Sequence, residues 1–171
     1  MPKNKPQKSL NTGKLHIIYG IHAVRAALLN NKRIHQELYI TENNNEIAKN
    51  YRSIIKKITV LDQKEFKKIH GGEKSSQGIV LKTKDFDRPS LQEFLKNEHK
   101  NDKSVLLALD QITDPQNIGS IMRSCALFNC KGIIVAKDNA PDLTPSLYKA
   151  ASGAAEIVNY FRVTNLKRSM S

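Results

Sequence analysis

Two polar side chains, Asn117 and Arg123, lie on a predicted helix that follows a buried-strand pattern. The strand is predicted at residues 105–109, a short apolar run with polar neighbours, as is typical of a parallel strand covered on both faces. Asp114 can cap the next helix, and Pro115 suits its first position because that N–H would lack a partner anyway. Open α/β sheets bind ligands near the carboxyl ends of their strands. We therefore expect Asn117 and Arg123 to lie near such an end and to contact a ligand.

The segments around this helix predict a parallel α/β sheet. Apolar residues recur at helical spacing after Pro115 and give the helix one apolar face; they are Ile118, Ile121, Met122, Cys125 and Phe128. The apolar run at 132–136 predicts the next parallel strand, which completes a β-α-β unit with a right-handed crossover. A short helix at 146–152 and a strand at 157–163 follow, and Asn165 begins a further helix.

Residues 15–84 predict a small α/β domain of their own. Short apolar runs predict strands at 37–40, 58–61 and 78–81, and helical spacing predicts helices near 21–28, 47–55 and 64–69. The segment 86–103 has mixed charge and few apolar side chains, which indicates a linker with one helix capped by Ser90. The expected organisation is a disordered basic arm at 1–14, a substrate-binding domain at 15–84, a linker at 85–103 and a second domain at 104–171.

The distribution of charge predicts a polyanionic partner. The net charge is +12, and residues 1–84 hold +11 of it, with 17 basic against 6 acidic residues. Adjacent cations in this part suit a phosphate backbone: Lys32 with Arg33, Lys56 with Lys57, and Lys67 with Lys68. A basic excess also keeps a small protein soluble, and each pair also suits a solvated helix face.

The composition argues against several other classes of protein. The first 14 residues lack the apolar core of a secretory signal, and no run suits a membrane span. The histidines lie without metal spacing at positions 16, 22, 35, 70 and 99, and Cys125 and Cys130 lack zinc-binding neighbours. The Gly71-Gly72 loop is no phosphate-binding loop, because G-x-x-x-x-G-K-[ST] does not occur. We expect a cytoplasmic protein with reduced thiols, no metal and no membrane contact.

The polar residues of the central helix follow a fixed order. D-P-x-N-x-G-x-x-x-R-S-x-x-x-F is formed by Asp114, Pro115, Asn117, Gly119, Arg123, Ser124 and Phe128. This order resembles motif 1 of the SpoU (TrmH-like) family of RNA ribose 2'-O-methyltransferases. A second match, at residues 151–166, resembles the family's S-x-G-A-x-E segment and the V-x-N-L stretch after it. The resemblance covers residues 15–171 and is nearest to members that methylate a guanosine of large-subunit ribosomal RNA.

The resemblance implies both a fold and a reaction. The fold is a small ribosomal-protein-like α/β domain that binds RNA, followed by part of a knotted SPOUT-type methyltransferase domain with a parallel sheet. The reaction moves the methyl group of S-adenosylmethionine to a ribose 2'-hydroxyl. Arg123 would be catalytic, holding a phosphate beside the target ribose and helping to activate its hydroxyl, with Asn117 in support. Ser152 and Glu156 would shape the fold. Members act as dimers through the catalytic domain, so we expect a homodimer if that domain is complete.

Two later motifs of the family have no match up to Ser171. In the family they form the knot and most of the cofactor pocket, so we assign no cofactor-binding residue and expect a C-terminally truncated domain. The uncovered edge of its sheet would expose apolar and backbone groups, which favours marginal stability or association. Two alternatives stay open. One is an inactive RNA-binding remnant of such an enzyme; the other is a generic nucleotide-binding α/β domain, although no G-x-G-x-x-G follows a strand.

Overall fold

The computed structural model describes residues 15–69, 76–98 and 104–170. The strands are β1 (Leu15–Tyr19), β2 (Ile34–Thr41), β3 (Ile58–Leu61), β4 (Ile79–Lys84), β5 (Leu106–Leu109), β6 (Gly132–Ala136) and β7 (Asn159–Val163). The α-helices are α1 (Ile21–Leu29), α2 (Asn45–Asn50), α3 (Gln63–Ile69), α4 (Leu91–Glu98), α5 (Pro115–Leu127), α6 (Pro145–Ala151) and α7 (Leu166–Ser169). The predicted basic arm, the Gly71-Gly72 loop, His70, His99 and the end of the predicted linker lie outside the described residues.

The first sheet is mixed and belongs to the basic part of the chain. Its strand order is β1-β4-β2-β3, and the β2–β3 pair is parallel while the pairs that involve β4 are antiparallel. Side chains alternate between its two faces, as the pleat requires. Ile18 and Leu81 pack with α1 in the main core, whereas Tyr19 and Val80 pack with Phe66 of α3. The predicted small α/β domain is confirmed.

The second sheet consists of three parallel strands in the order β5-β6-β7, as predicted. Helices α5 and α6 cover one face, and α4 covers the other, where Phe94 lies 5.2 Å from Phe161 between ring centroids. The central strand β6 is buried. The expectation that β5 is covered on both faces is wrong, since Leu107 is 38% exposed. The physical reason is that β5 pairs on one side only and forms an edge of the sheet.

Capping residues fix the helix starts that the sequence predicted. Ser90 and Glu93 form a reciprocal pair at α4, in which the Glu93 N–H donates to Ser90 Oγ at 3.2 Å and the Ser90 N–H donates to Glu93 Oε2 at 2.7 Å. At α7 the Asn165 side chain accepts a hydrogen bond from the Arg168 N–H at 2.9 Å.

No helix among the described residues has the length and apolar character needed to cross a bilayer.

The two halves share one hydrophobic core instead of being held only by a linker. Residues of α1 pack in the same buried cluster as Tyr148 and Ala151 of α6. The first residues of the predicted linker also contribute to this junction, which corrects their assignment. Arg88 Nη1 donates a hydrogen bond to the Ala155 carbonyl oxygen at 3.0 Å, and the Arg88 guanidinium lies 4.3 Å from the centre of the Phe86 ring. The Arg88–Ala155 hydrogen bond and the shared core hold the basic half against the second half.

Candidate functional site

The predicted start of helix α5 is confirmed. The Asp114 side chain accepts a hydrogen bond from the Gln116 N–H at 3.0 Å, and Pro115 occupies the first turn. Asn117 lies in that first turn and is exposed. Because α5 follows β5 after a short loop, its first turn lies beside the carboxyl end of β5. Asn117 therefore lies where the sequence predicts a ligand contact.

Arg123 lies further along α5, away from the carboxyl end of the sheet. Six residues of α-helix correspond to about 9 Å of rise and a rotation of about 240°, so Asn117 and Arg123 point in different directions. Arg123 is exposed, and its Nη2 donates a long hydrogen bond to Ser120 Oγ at 3.4 Å. The expectation that both side chains lie near the carboxyl end of β5 is therefore corrected for Arg123, since the helix carries it back along the strand.

Gly119 of motif 1 permits the close packing of α5 on α6. A Cβ atom at this position would lie 2.7 Å from the Ala150 carbonyl carbon and 2.8 Å from the Ala151 nitrogen. These distances are shorter than real Cβ contacts, and both partners are backbone atoms. The glycine thus sets how α5, and with it Arg123, lies against the rest of the second domain.

The second matched segment makes a tight turn between the two halves. Ser152 and Gly153 have φ angles of 49° and 96°, and a Cβ on Gly153 would lie 2.7 Å from the Cβ of Ala26 in α1. A single 3₁₀ turn, Ala154–Glu156, follows at once. The turn therefore places Glu156 against the basic half of the chain.

Glu156 forms a buried, bidentate ion pair with Arg33. Arg33 Nε donates to Glu156 Oε2 at 2.8 Å, and Arg33 Nη2 donates to Glu156 Oε1 at 2.9 Å. Arg33 Nη2 also donates to the Tyr148 hydroxyl at 3.1 Å, and Asn30 Nδ2 donates to Glu156 Oε2 at 2.7 Å. The Arg33 side chain is fully buried. Asp85 from the end of the first half also pairs with it, with Oδ1 3.3 Å from Arg33 Nη1. This corrects the interpretation of Arg33 as a phosphate contact, because partners from both halves enclose its guanidinium.

Electrostatics keep the buried Arg33 charged. Burial alone would lower the pKa of Arg33, but the hydrogen bonds and the negative charge of Glu156 outweigh it, so the pKa lies above its ordinary value. Burial also raises the pKa of the neighbouring Tyr148 hydroxyl. Asn30 and Tyr148 were not predicted from the sequence to take part in this cluster. Of its members, only Glu156 was expected to shape the fold, because it belongs to the second matched segment.

Next to the ion pair, an open groove separates α1 from α5. Its volume is about 910 Å³, within the range of ligand sites. Three exposed apolar side chains line it: Leu29, Leu127 and Ile157 are 67%, 84% and 71% exposed. Lys32 and Arg123 also line it, and the one acid in its wall, Glu156, is paired with Arg33. The groove thus combines apolar walls with two cations, one from each half, and the Lys32 ammonium also lies 5.9 Å from the centre of the Phe86 ring.

Comparison with known proteins matches the two halves to two models of one enzyme family. Residues 17–89 match the model described as RNA 2'-O ribose methyltransferase substrate binding, and residues 104–171 match that of the SpoU rRNA Methylase family. The chain belongs to the SpoU rRNA methylase family. The two matches follow each other in the order that the sequence predicted.

Curated relatives of this family have similar sequences but greater length. The 23S rRNA (guanosine-2'-O-)-methyltransferase RlmB of Shewanella oneidensis is 37% identical over 92% of this chain, and that of Coxiella burnetii is 32% identical over 92%. The chain spans 65% and 64% of these two relatives.

Solved structures of the family share the fold. The SpoU methyltransferase AviRb from Streptomyces viridochromogenes, in complex with AdoMet, has a TM-score of 0.67 at 17% identity and covers 98% of this chain and 62% of its own. A crystal structure titled RNA 2'-O ribose methyltransferase has a TM-score of 0.65 at 16% identity, over 95% of this chain and 60% of its own. The predicted SPOUT-type α/β fold is confirmed.

The other cations predicted to bind RNA are exposed but lie away from the groove. Lys56 and Lys57 precede β3, and Lys67 and Lys68 lie in the last turn of α3. Lys57 Nζ also lies 3.0 Å from Glu37 Oε2. None of these four lysines lines the groove beside Arg123.

Among the described residues, no group of three or more His, Cys, Asp and Glu side chains is arranged to hold a metal ion. His35 is partly buried, with Nδ1 3.3 Å from Thr83 Oγ1. Burial lowers the pKa of His35 below its ordinary value. Cys125 and Cys130 are both free thiols. The chemistry available in the described residues therefore centres on α5 and the adjoining groove.

Proposed function

We propose that this chain acts in the transfer of a methyl group from S-adenosylmethionine to a ribose 2'-hydroxyl of ribosomal RNA, with guanosine as the target nucleoside. One observation carries the proposal: a substrate-binding match at 17–89 is followed by a methylase match at 104–171. The names of the curated relatives support the target.

The basic half is proposed to hold the RNA. Residues 1–84 carry nearly all of the net positive charge, and the exposed lysines of this half suit phosphate contacts. Binding through phosphates releases counterions, so the affinity for RNA should fall steeply as the salt concentration rises. The catalytic half, which is nearly neutral, would act on RNA that the basic half delivers.

Arg123 is proposed to act on the target ribose by electrostatics. A ribose hydroxyl is a weak nucleophile at neutral pH, so it must be positioned and must lose its proton. An arginine stays protonated, and it can hold the adjacent phosphate while the proton passes to phosphate or water. Asn117, about 9 Å away along α5, is proposed to hydrogen-bond a separate part of the bound substrate.

S-adenosylmethionine supplies an activated methyl group when it is bound. Among the described residues, grooves lie beside Arg123, beside α4 and β7, and beside His16, and all three are open to solvent. We assign no cofactor-binding residue and derive no step through the cofactor.

Association of two copies and a cytoplasmic location are part of the proposal. Strand β5 is an edge of its sheet, and apolar side chains are exposed there: Val105, just before the strand, is 57% exposed and Leu107 is 38% exposed. Such an edge favours pairing with a second copy. The free state of Cys125 and Cys130 supports a reducing compartment.

Calorimetric titration tests the cofactor and RNA parts together. The chain is titrated with S-adenosylmethionine and, separately, with a fragment of large-subunit ribosomal RNA. The proposal predicts that both bind and that the affinity for RNA weakens with salt. RNA binding without cofactor binding would instead support the RNA-binding remnant, and binding of neither would refute both.

Substitution of the catalytic residue gives the second test. Arg123→Ala should lower turnover by at least about 100-fold and RNA affinity by less than about tenfold, since one phosphate contact is lost among many. Arg168→Ala, which removes an exposed arginine from α7, serves as the control and should keep its turnover. Equal losses of turnover and RNA affinity in Arg123→Ala would contradict the role given to Arg123.

A further inference from the structure

The groove between α1 and α5 has the composition of a nucleotide site. Exposed apolar side chains are costly to leave in water, and Leu29, Leu127 and Ile157 gather in this one groove. A nucleotide offers an apolar base face and an anionic phosphate. The apolar walls match the base, and Lys32 and Arg123 match the phosphate.

The Arg33–Glu156 pair fixes the geometry of this groove. Asn30, Asn31 and Lys32 form one of its walls and directly precede Arg33. Asn30 itself donates to Glu156 Oε2 at 2.7 Å. The wall that carries Lys32 is thus tied at both ends to the glutamate of the second domain. Without that tie, Lys32 from the basic half would not be held in the same groove as Arg123.

We propose that this groove binds one nucleotide of the substrate RNA beside the target ribose, and that the Arg33–Glu156 pair is the positioning element that keeps Lys32 in the same groove as Arg123. The proposal rests on the function proposed above and names where the RNA meets the catalytic half. Charge complementarity supports RNA as the occupant, because the available charges of the groove are positive and its one acid is neutralised.

A negative charge placed in the groove tests the site directly. Leu127→Glu should weaken the affinity for the ribosomal RNA fragment by at least about tenfold, because like charges repel across the contact. Leu95→Glu, on an exposed part of α4 outside the groove, makes the same change in net charge and should stay within about twofold. Equal affinities of the two variants would overturn the proposal.

A neutralised glutamate tests the positioning element. Glu156→Gln raises the net charge, so general electrostatics predicts equal or tighter RNA binding, whereas loss of the tie predicts binding weaker by about threefold or more. The matched control is Glu46→Gln, in an exposed pair with Lys49, which should bind RNA at least as tightly as the unmodified chain. A folded Glu156→Gln variant that binds as tightly as Glu46→Gln would overturn the positioning role.

Further outcomes separate this proposal from the proposed function. If Glu156→Gln does not fold by circular dichroism, the Leu127→Glu and Leu95→Glu comparison alone decides the proposal. If the unmodified chain binds RNA and methylates it but Leu127→Glu has no effect, only the nucleotide site fails. If Leu127→Glu changes the sedimentation mass and leaves RNA affinity intact, the groove is an interface between copies and the proposal is wrong. If the unmodified chain binds no RNA, both proposals fail.

Discussion

The substitution Gly119→Ala tests how motif 1 shapes the fold. A Cβ on residue 119 would lie 2.7 Å from the carbonyl carbon of Ala150 and 2.8 Å from the nitrogen of Ala151, whereas ordinary contacts lie at 3.4–4 Å. Both atoms belong to the backbone of α6, so no side-chain rotation relieves the overlap. The two helices must move apart by roughly 1 Å, which opens the packing around them.

Two effects of opposite sign set the size of the change. Alanine is the better helix former and should stabilise α5 by about 1 kcal/mol. Overpacking typically costs about 1–3 kcal/mol, and the rigid partners here favour the upper end of that range. We expect a net loss of about 2 kcal/mol in the free energy of unfolding. For a chain of this size this corresponds to a melting temperature about 4–8 °C lower.

Urea unfolding followed by far-ultraviolet circular dichroism measures this change. Ser120→Ala, at the next and exposed position of α5, is the matched control and should stay within about 0.5 kcal/mol of the unmodified chain. A Gly119→Ala variant as stable as the unmodified chain, or more stable, would refute the reasoning. That outcome would mean that helix propensity outweighs the close approach of α6.

Three other predictions concern the ion pair, the helix cap and pH. Glu156→Ala should lower the free energy of unfolding by about 3 kcal/mol, because buried Arg33 loses its bidentate partner and keeps only Asp85, whose Oδ1 lies 3.3 Å from Arg33 Nη1. A loss below about 1 kcal/mol in chemical denaturation would contradict this. Asp114→Ala should lower the free energy of unfolding by about 1 kcal/mol, and Asp114→Asn by less, because asparagine can still accept the hydrogen bond of the cap. Equal losses for the two variants in thermal unfolding would show that this hydrogen bond is unimportant. Burial lowers the pKa of His35 in the folded state, so the unfolded chain takes up the proton first and stability should fall as the pH decreases below 6.5. His35→Gln should reduce that pH dependence in denaturation curves at pH 7 and pH 5, and an unchanged dependence would exclude His35 as its source.

Local patterns predicted the helix of the candidate site because its start depends on neighbouring residues. Asp114 and Pro115 act within the first turn of α5, and the apolar stripe after them depends only on helical spacing. The parallel second sheet could be predicted because its signal is also local: β6 is a continuous apolar run bounded by polar residues. The separation of Asn117 from Arg123 could also be predicted from the sequence, because a spacing of six residues fixes the rise and the rotation between them along an α-helix.

Contacts across the chain could not be predicted in this way. Arg33 and Glu156 lie 123 residues apart, and nothing near Arg33 distinguishes it from the adjacent, exposed Lys32. A charged residue is usually solvated, so its burial depends on the partner that the fold supplies. Likewise, the exposure of β5 depends on its place at the edge of the sheet, which an apolar run does not reveal.

The position of the transferred methyl group tests the central claim most directly. The chain is incubated with a fragment of large-subunit ribosomal RNA and S-adenosylmethionine that carries an isotopically labelled methyl group. The RNA is then digested to nucleosides and analysed by mass spectrometry. We expect the label in 2'-O-methylguanosine, and we expect Arg123→Ala to abolish it. Label on a base, or bound RNA that carries no label, would contradict it.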